Sequence, residues 1–162
     1  MVLTGVFIAI GITFPMAFHL FEGAGRKLLP MQFPILISGY FLCPPYAVMV
    51  GILTPVLSSL ITGMPPIFPN LPCLAIEFGA YALFLSILPF KNKYLKLLTS
   101  LVLGKACLFA FALLNSAFWG FAASQLSNGI IGMVWQIILV PLVVKGCERG
   151  VYYAKHYRAS KV

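Results

Sequence analysis

Charge is what this sequence has least of. Of 162 residues, eleven are basic and three acidic, 9% of the chain, where a soluble domain carries roughly 25%. Hydrophobic residues make up 61%, too many to hide inside a 17.7 kDa globule, so a water-soluble fold is excluded. At about 20 apolar residues per span, the composition fills five or six short membrane helices. No soluble nucleotide-binding domain fits beside them, and energy for any work must come from an ion gradient or from a partner chain. Paired cysteines are also missing: Cys43, Cys73, Cys107 and Cys147 are spread through the apolar segments without a CxxC spacing, which argues against a metal site or a disulfide framework. The first segment has no basic n-region and no small-residue cleavage site, so it reads as a retained helix and not a signal peptide. No phosphate-binding loop, HExxH or serine-nucleophile signature occurs, and without a clustered nucleophile and base there is no case for an enzyme.

What is present is a series of apolar runs separated by breaks. The first run covers residues 2–21 and ends at the polar stretch Glu22 to Lys27. Residues 31–62 carry no charge and are too long for one untilted helix. Pro44-Pro45 divides them, because proline removes an amide donor and restrains its neighbour. The expected outcome is a short helix at 32–43, which falls short of a full crossing, and a longer one at 46–62. GMPPIFPNLP, residues 63–72, holds four prolines and reads as a stiff loop. A fourth span is expected at 73–90, ending at the basic cluster 91–96. A fifth is expected at 95–119, and AASQLSNG, residues 122–129, is read as the loop before a sixth at 130–147. The whole chain, 1–162, forms one all-α integral membrane domain of six helices in a compact bundle.

Net charge is +8, and its distribution matters more than its size. With six spans and both termini inside, Lys91, Lys93, Lys96, Lys145, Arg149, Lys155, Arg158 and Lys161 fall on the inner side. Only Arg26 and Lys27 fall outside. This follows the positive-inside rule, whereas five spans would split the positive charge between two faces. The bias explains the basic balance without nucleic acid, and it orients the protein in a cytoplasmic (inner) membrane with cytoplasmic termini. The loops at 22–31, 63–72 and 122–129 then lie together on the outer face, an arrangement suited to a lid.

An ionisable group at membrane depth marks a functional hypothesis. Glu77 lies about one and a half turns past Pro72, and Tyr81 shares its helix face four residues on. Asn115 and Trp119 are expected at similar depth on the fifth span, and Trp135 and Gln136 on the sixth. His19 reaches the mouth from the end of the first helix. Carboxylate, amides and rings in one outer layer suit a small, flat, polar ligand. Lys105 is expected deeper than Glu77, turned to the cytoplasmic side or to helix carbonyls. Small residues recur every fourth position at Gly5, Ala9 and Thr13, and again from Ala47 to Gly63, and such ridges permit close helix approach.

The run FPILISGYFLCPPYAVMVGILTPVLSSLITGMPPIFPNLPCLAIEFGAYAL, residues 33–83, carries Gly39, Pro44, Gly51, Pro55, the Gly63-Met64-Pro65-Pro66 turn and Glu77 followed by Tyr81. With the length and the short second helix, it resembles the substrate-binding component of energy-coupling factor (ECF) vitamin transporters. The resemblance implies capture of a water-soluble vitamin at the outer face, then docking on a transmembrane coupling subunit driven by two ATPase subunits. The chain itself would need no cofactor, since ATP is used by those partners. That family's first helix carries an AxxxA ridge against the coupling subunit; here the match is Ala9 to Thr13, with threonine for the second alanine. Glu77 favours a ligand with amine, ring N–H or hydroxyl donors, pyridoxamine or pyridoxine first and a thiamine precursor next. It disfavours a free anion unless Lys105 or Arg26 intervenes. The rival readings are a solitary ion-coupled transporter using Glu77 and a membrane scaffold without a ligand.

Overall fold

The computed structural model describes residues 1–19, 30–114 and 116–159, with the side chains of all these except 17–19, 126–128, 130, 131 and 151–159. Among the described residues the chain is all helix: α1 (Val2–His19), α2 (Gln32–Phe41), α3 (Pro44–Thr62), α4 (Asn70–Ile87), α5 (Lys93–Ala112) and α6 (Ser116–Ala159). Helices α3, α4 and α5 are each long and apolar enough to cross a membrane. The ten residues of α2 span only about 15 Å, half a hydrocarbon layer. The protein is an all-α membrane bundle.

Local sequence explains most helix ends. Pro44 and Pro45 open α3, where the first amides have no helical partner to lose. Pro72 is tolerated in the first turn of α4 for the same reason, so that helix begins at Asn70 and not after the last proline. Gly63 closes α3 in the left-handed region at φ 73°. The proline-rich connection is then tied back to α3: the Ser58 hydroxyl donates to the Met64 carbonyl at 2.8 Å and the Ser59 hydroxyl to the Pro65 carbonyl at 2.7 Å. Asn92 caps α5 by accepting from the Tyr94 amide.

One expectation fails. Residues 122–129 are not a loop but part of α6, which runs for 44 residues, about 66 Å. The break lies earlier, after Ala112, so the fifth helix stops there and not at 119, and the sixth starts at Ser116 and not at 130. Residues 122–129 contain no proline, and a lone glycine with polar neighbours costs a helix only about 1 kcal/mol. Packing outweighs that cost, for Ala122 is fully buried against Cys73, Leu108 and Ala112. There is therefore no loop at 122–129 to serve as a lid. The expected lid loop 22–31 lies, but for its last two residues, outside the described residues.

Helix α4 is the central element, packed against α2, α3, α5 and α6, while α1 lies on α2 and α3. Two apolar clusters result. One joins Ile35, Leu36, Val50, Leu85, Leu97, Leu101, Val140 and Val144; the other joins Cys73, Leu108, Ala112 and Ala122. Glycines bring the backbones together. A Cβ on Gly51 would meet the Phe78 carbonyl oxygen at 2.5 Å and the Gly79 Cα at 2.8 Å, whereas one on Gly5 would meet nothing within 4 Å. Gly51→Ala should therefore lower stability by about 1–3 kcal/mol through overpacking. Gly5→Ala should not lower it, and thermal unfolding in detergent checks both.

Candidate functional site

Four residues on one face of α4 follow a four-residue repeat: Cys73, Glu77, Tyr81 and Leu85, all buried. The two ends of this row belong to the two apolar clusters. Between them the row turns polar. Glu77 is 2% exposed and Tyr81 fully buried, and the Tyr81 hydroxyl donates to Glu77 Oε1 at 2.5 Å.

Helix α5 supplies the countercharge. Lys105 Nζ lies 2.6 Å from the same Glu77 Oε1, and its side chain is 11% exposed. This overturns the expectation that Lys105 is too deep to reach Glu77. The reason is the position of the helix end. Lys105 is seven residues from Ala112, where α5 stops, and Glu77 is seven residues from Asn70, where the antiparallel α4 starts. Both therefore lie about 10 Å below the same end of the bundle. Gly104 makes the approach possible: a Cβ there would fall 2.2 Å from Tyr81 Cδ1, so only glycine lets the tyrosine ring lie against α5 beside the lysine.

Two amides extend the layer. Gln136 of α6 donates through Nε2 to Gln32 Oε1 of α2 at 3.4 Å, and both are 1% exposed. Gln32 sits beside the Tyr81 hydroxyl, within reach of its oxygen, whereas Glu77 Oε2 closes no hydrogen bond. A buried polar group without a partner costs about 1–3 kcal/mol, more when charged. One acceptor, Glu77 Oε2, is thus left open in this interior layer.

The sequence-predicted residues divide. Glu77, Tyr81 and Gln136 come together, joined by Gln32 and Lys105, which the sequence reading did not place in the site. Gln32 carries the sole side-chain amide in the uncharged stretch 31–62, a signal available in the sequence. Trp119 and Trp135 do not join the layer: they are 49% and 48% exposed on the outside of the bundle, and Trp119 packs edge-on against Phe109. Asn115 lies outside the described residues, as does the His19 side chain. Above the layer, Phe68 of the proline-rich loop meets Phe118 of α6, which in turn stacks on Phe111 of α5. The ridge residues Gly5, Ala9 and Thr13 all face away from the bundle, while Thr4 and Gly11 face into it.

An all-α bundle that buries a polar layer in an apolar interior is the fold of an integral membrane protein. The family model for the substrate-specific component of ECF transporters matches residues 1–154, and the chain belongs to that family. It is accordingly a substrate-capturing transporter component and not an enzyme. No curated protein and no solved structure matches the chain.

Breaking a buried pair leaves an uncompensated charge and costs about 3–5 kcal/mol, whereas removing both charges is far milder. Lys105→Met should therefore destabilise the protein by about that amount, and Glu77→Gln with Lys105→Met should recover most of the loss. A double-mutant cycle on thermal or denaturant unfolding in detergent measures the coupling.

Proposed function

We propose that this component captures a small water-soluble vitamin or vitamin precursor at the outer face of the cytoplasmic membrane. A transmembrane coupling subunit and two ATPase subunits then drive its uptake. The observation that carries this reading is the open Glu77 Oε2, held by Tyr81 and Lys105 through the other oxygen alone. A ligand N–H or O–H supplies the missing partner, and a charge-assisted hydrogen bond of this kind is among the stronger contacts a site can offer. A hydroxylated or amine-bearing ring fits best: pyridoxine or pyridoxamine, then a thiamine precursor. The chain binds no cofactor of its own, because the proposed cycle consists of capture, docking and release with no covalent step.

Charge placement supports the orientation. Lys91, Lys93, Lys96, Lys145 and Arg149 gather where α5 begins and α6 leaves the bundle, and the positive-inside rule puts that end in the cytoplasm. The outward ridge Gly5, Ala9 and Thr13 supports docking through α1, since a helix lined by small residues admits a partner helix at close range. Site and ridge are separate: α1 packs on α2 and α3, while the charged pair belongs to α4 and α5.

Mass spectrometry of small molecules released from the detergent-purified protein tests capture directly. One ring compound in near-stoichiometric amount is expected, and Glu77→Gln should weaken its rebinding by about tenfold to a hundredfold. No released compound, together with no calorimetric binding across a vitamin panel, would overturn the reading. Ala9→Leu should abolish co-purification of a larger membrane subunit and two ATPases while leaving ligand affinity unchanged.

A further inference from the structure

We infer that the site selects ligands of zero net charge, an inference that rests on the capture reading above and sharpens its substrate class. The Glu77 carboxylate and the Lys105 ammonium cancel one another across the α4–α5 interface. Among the described side chains no other charge is close enough to compensate a charged guest. Lys96, the next charge along α5, is nine residues from Lys105, about 13 Å down the helix. The other described charged side chains, Lys91, Lys93, Lys145, Glu148 and Arg149, gather around that same end of the bundle.

Among the described charges a cation entering this layer finds no countercharge, so it either adds a net charge to a low-dielectric interior or displaces Lys105 from Glu77 and strands it. An anion must do the same to Glu77. Either course leaves one buried charge without a partner, which is the costly outcome for ion pairs inside proteins. An uncharged guest meets no such obstacle. It finds one open acceptor, Glu77 Oε2. The matching ligand is an uncharged heteroaromatic ring that carries at least one hydroxyl, amide or amino N–H or O–H donor. On this basis pyridoxine ranks above pyridoxamine, and a hydroxymethyl-aminopyrimidine above thiamine, although each pair shares its ring.

Isothermal titration calorimetry on the purified wild-type protein tests this with probes matched in shape and differing in charge. The probes are pyridoxine against pyridoxamine and 4-pyridoxate, and nicotinamide against nicotinate. The uncharged member of whichever set binds should bind at least about tenfold more tightly than its charged counterparts. Lys105→Met should shift the preference towards the cationic member and Glu77→Gln towards the anionic one. The double variant, neutral again, should return the preference to the uncharged ring. If a single variant fails to fold, the wild-type comparison still decides. A charged member that binds wild type as tightly as its neutral counterpart overturns charge selection and leaves vitamin capture standing. Absence of binding by every probe, together with no small molecule released from the purified protein, overturns capture itself, and charge selection with it.

Discussion

A carboxylate held inside an apolar bundle is the constraint on which the rest of this molecule turns. Glu77 is tolerable at membrane depth only because Lys105 meets it from the neighbouring helix and Tyr81 donates to it from the next turn. The surrounding sequence makes room for these partners. Gly104 leaves space for the tyrosine ring, and Gly51 draws α3 onto the backbone of α4 directly behind the charged row. Apolar clusters lie on either side of the polar layer and exclude water from it. Low polarity strengthens the pair and, by the same physics, raises the cost of leaving any member unsatisfied.

Ion pairing recurs at the opposite end of the bundle with a different purpose. Lys93 of α5 pairs with Glu148 of α6, and its carbonyl accepts from the Tyr40 hydroxyl of α2. Lys96 lies over the Tyr40 ring and Lys145 over Tyr94. These contacts are partly exposed, and surface pairs of this kind contribute at most about 1 kcal/mol each. They hold three helices in register at the water boundary. The interior pair, in contrast, leaves one carboxylate oxygen, Glu77 Oε2, without a hydrogen bond. The rim is satisfied and the centre is not, and that difference separates a structural network from the layer proposed to bind ligand.

Much of this was legible in the sequence. The shortage of charge established a membrane bundle, Pro44-Pro45 marked the short second helix, and the isolation of Glu77 in an apolar run singled out a carboxylate that the fold buries beside Tyr81. The resemblance carried by residues 33–83 pointed to the family to which the chain belongs. Trp119 and Trp135 were legible only as aromatic residues near the expected depth. Which way each ring turns depends on helix rotation, and both turn outwards. Gln32 was passed over because a lone amide at the start of a short helix gives no periodic signal.

By itself, then, the sequence determined the class of solvent, the distribution of charge and a carboxylate in an apolar run that needs a partner, because these follow from composition and from local chemistry. Only the tertiary structure decided what that partner is. AASQLSNG resembles a loop by composition, yet burial of Ala122 keeps it helical and moves the end of α5 back to Ala112. That shift of a few residues raises Lys105 by two turns, to the depth of Glu77. The depth of a side chain in a bundle depends on where its helix ends, and packing between helices sets that end when local propensity is nearly neutral.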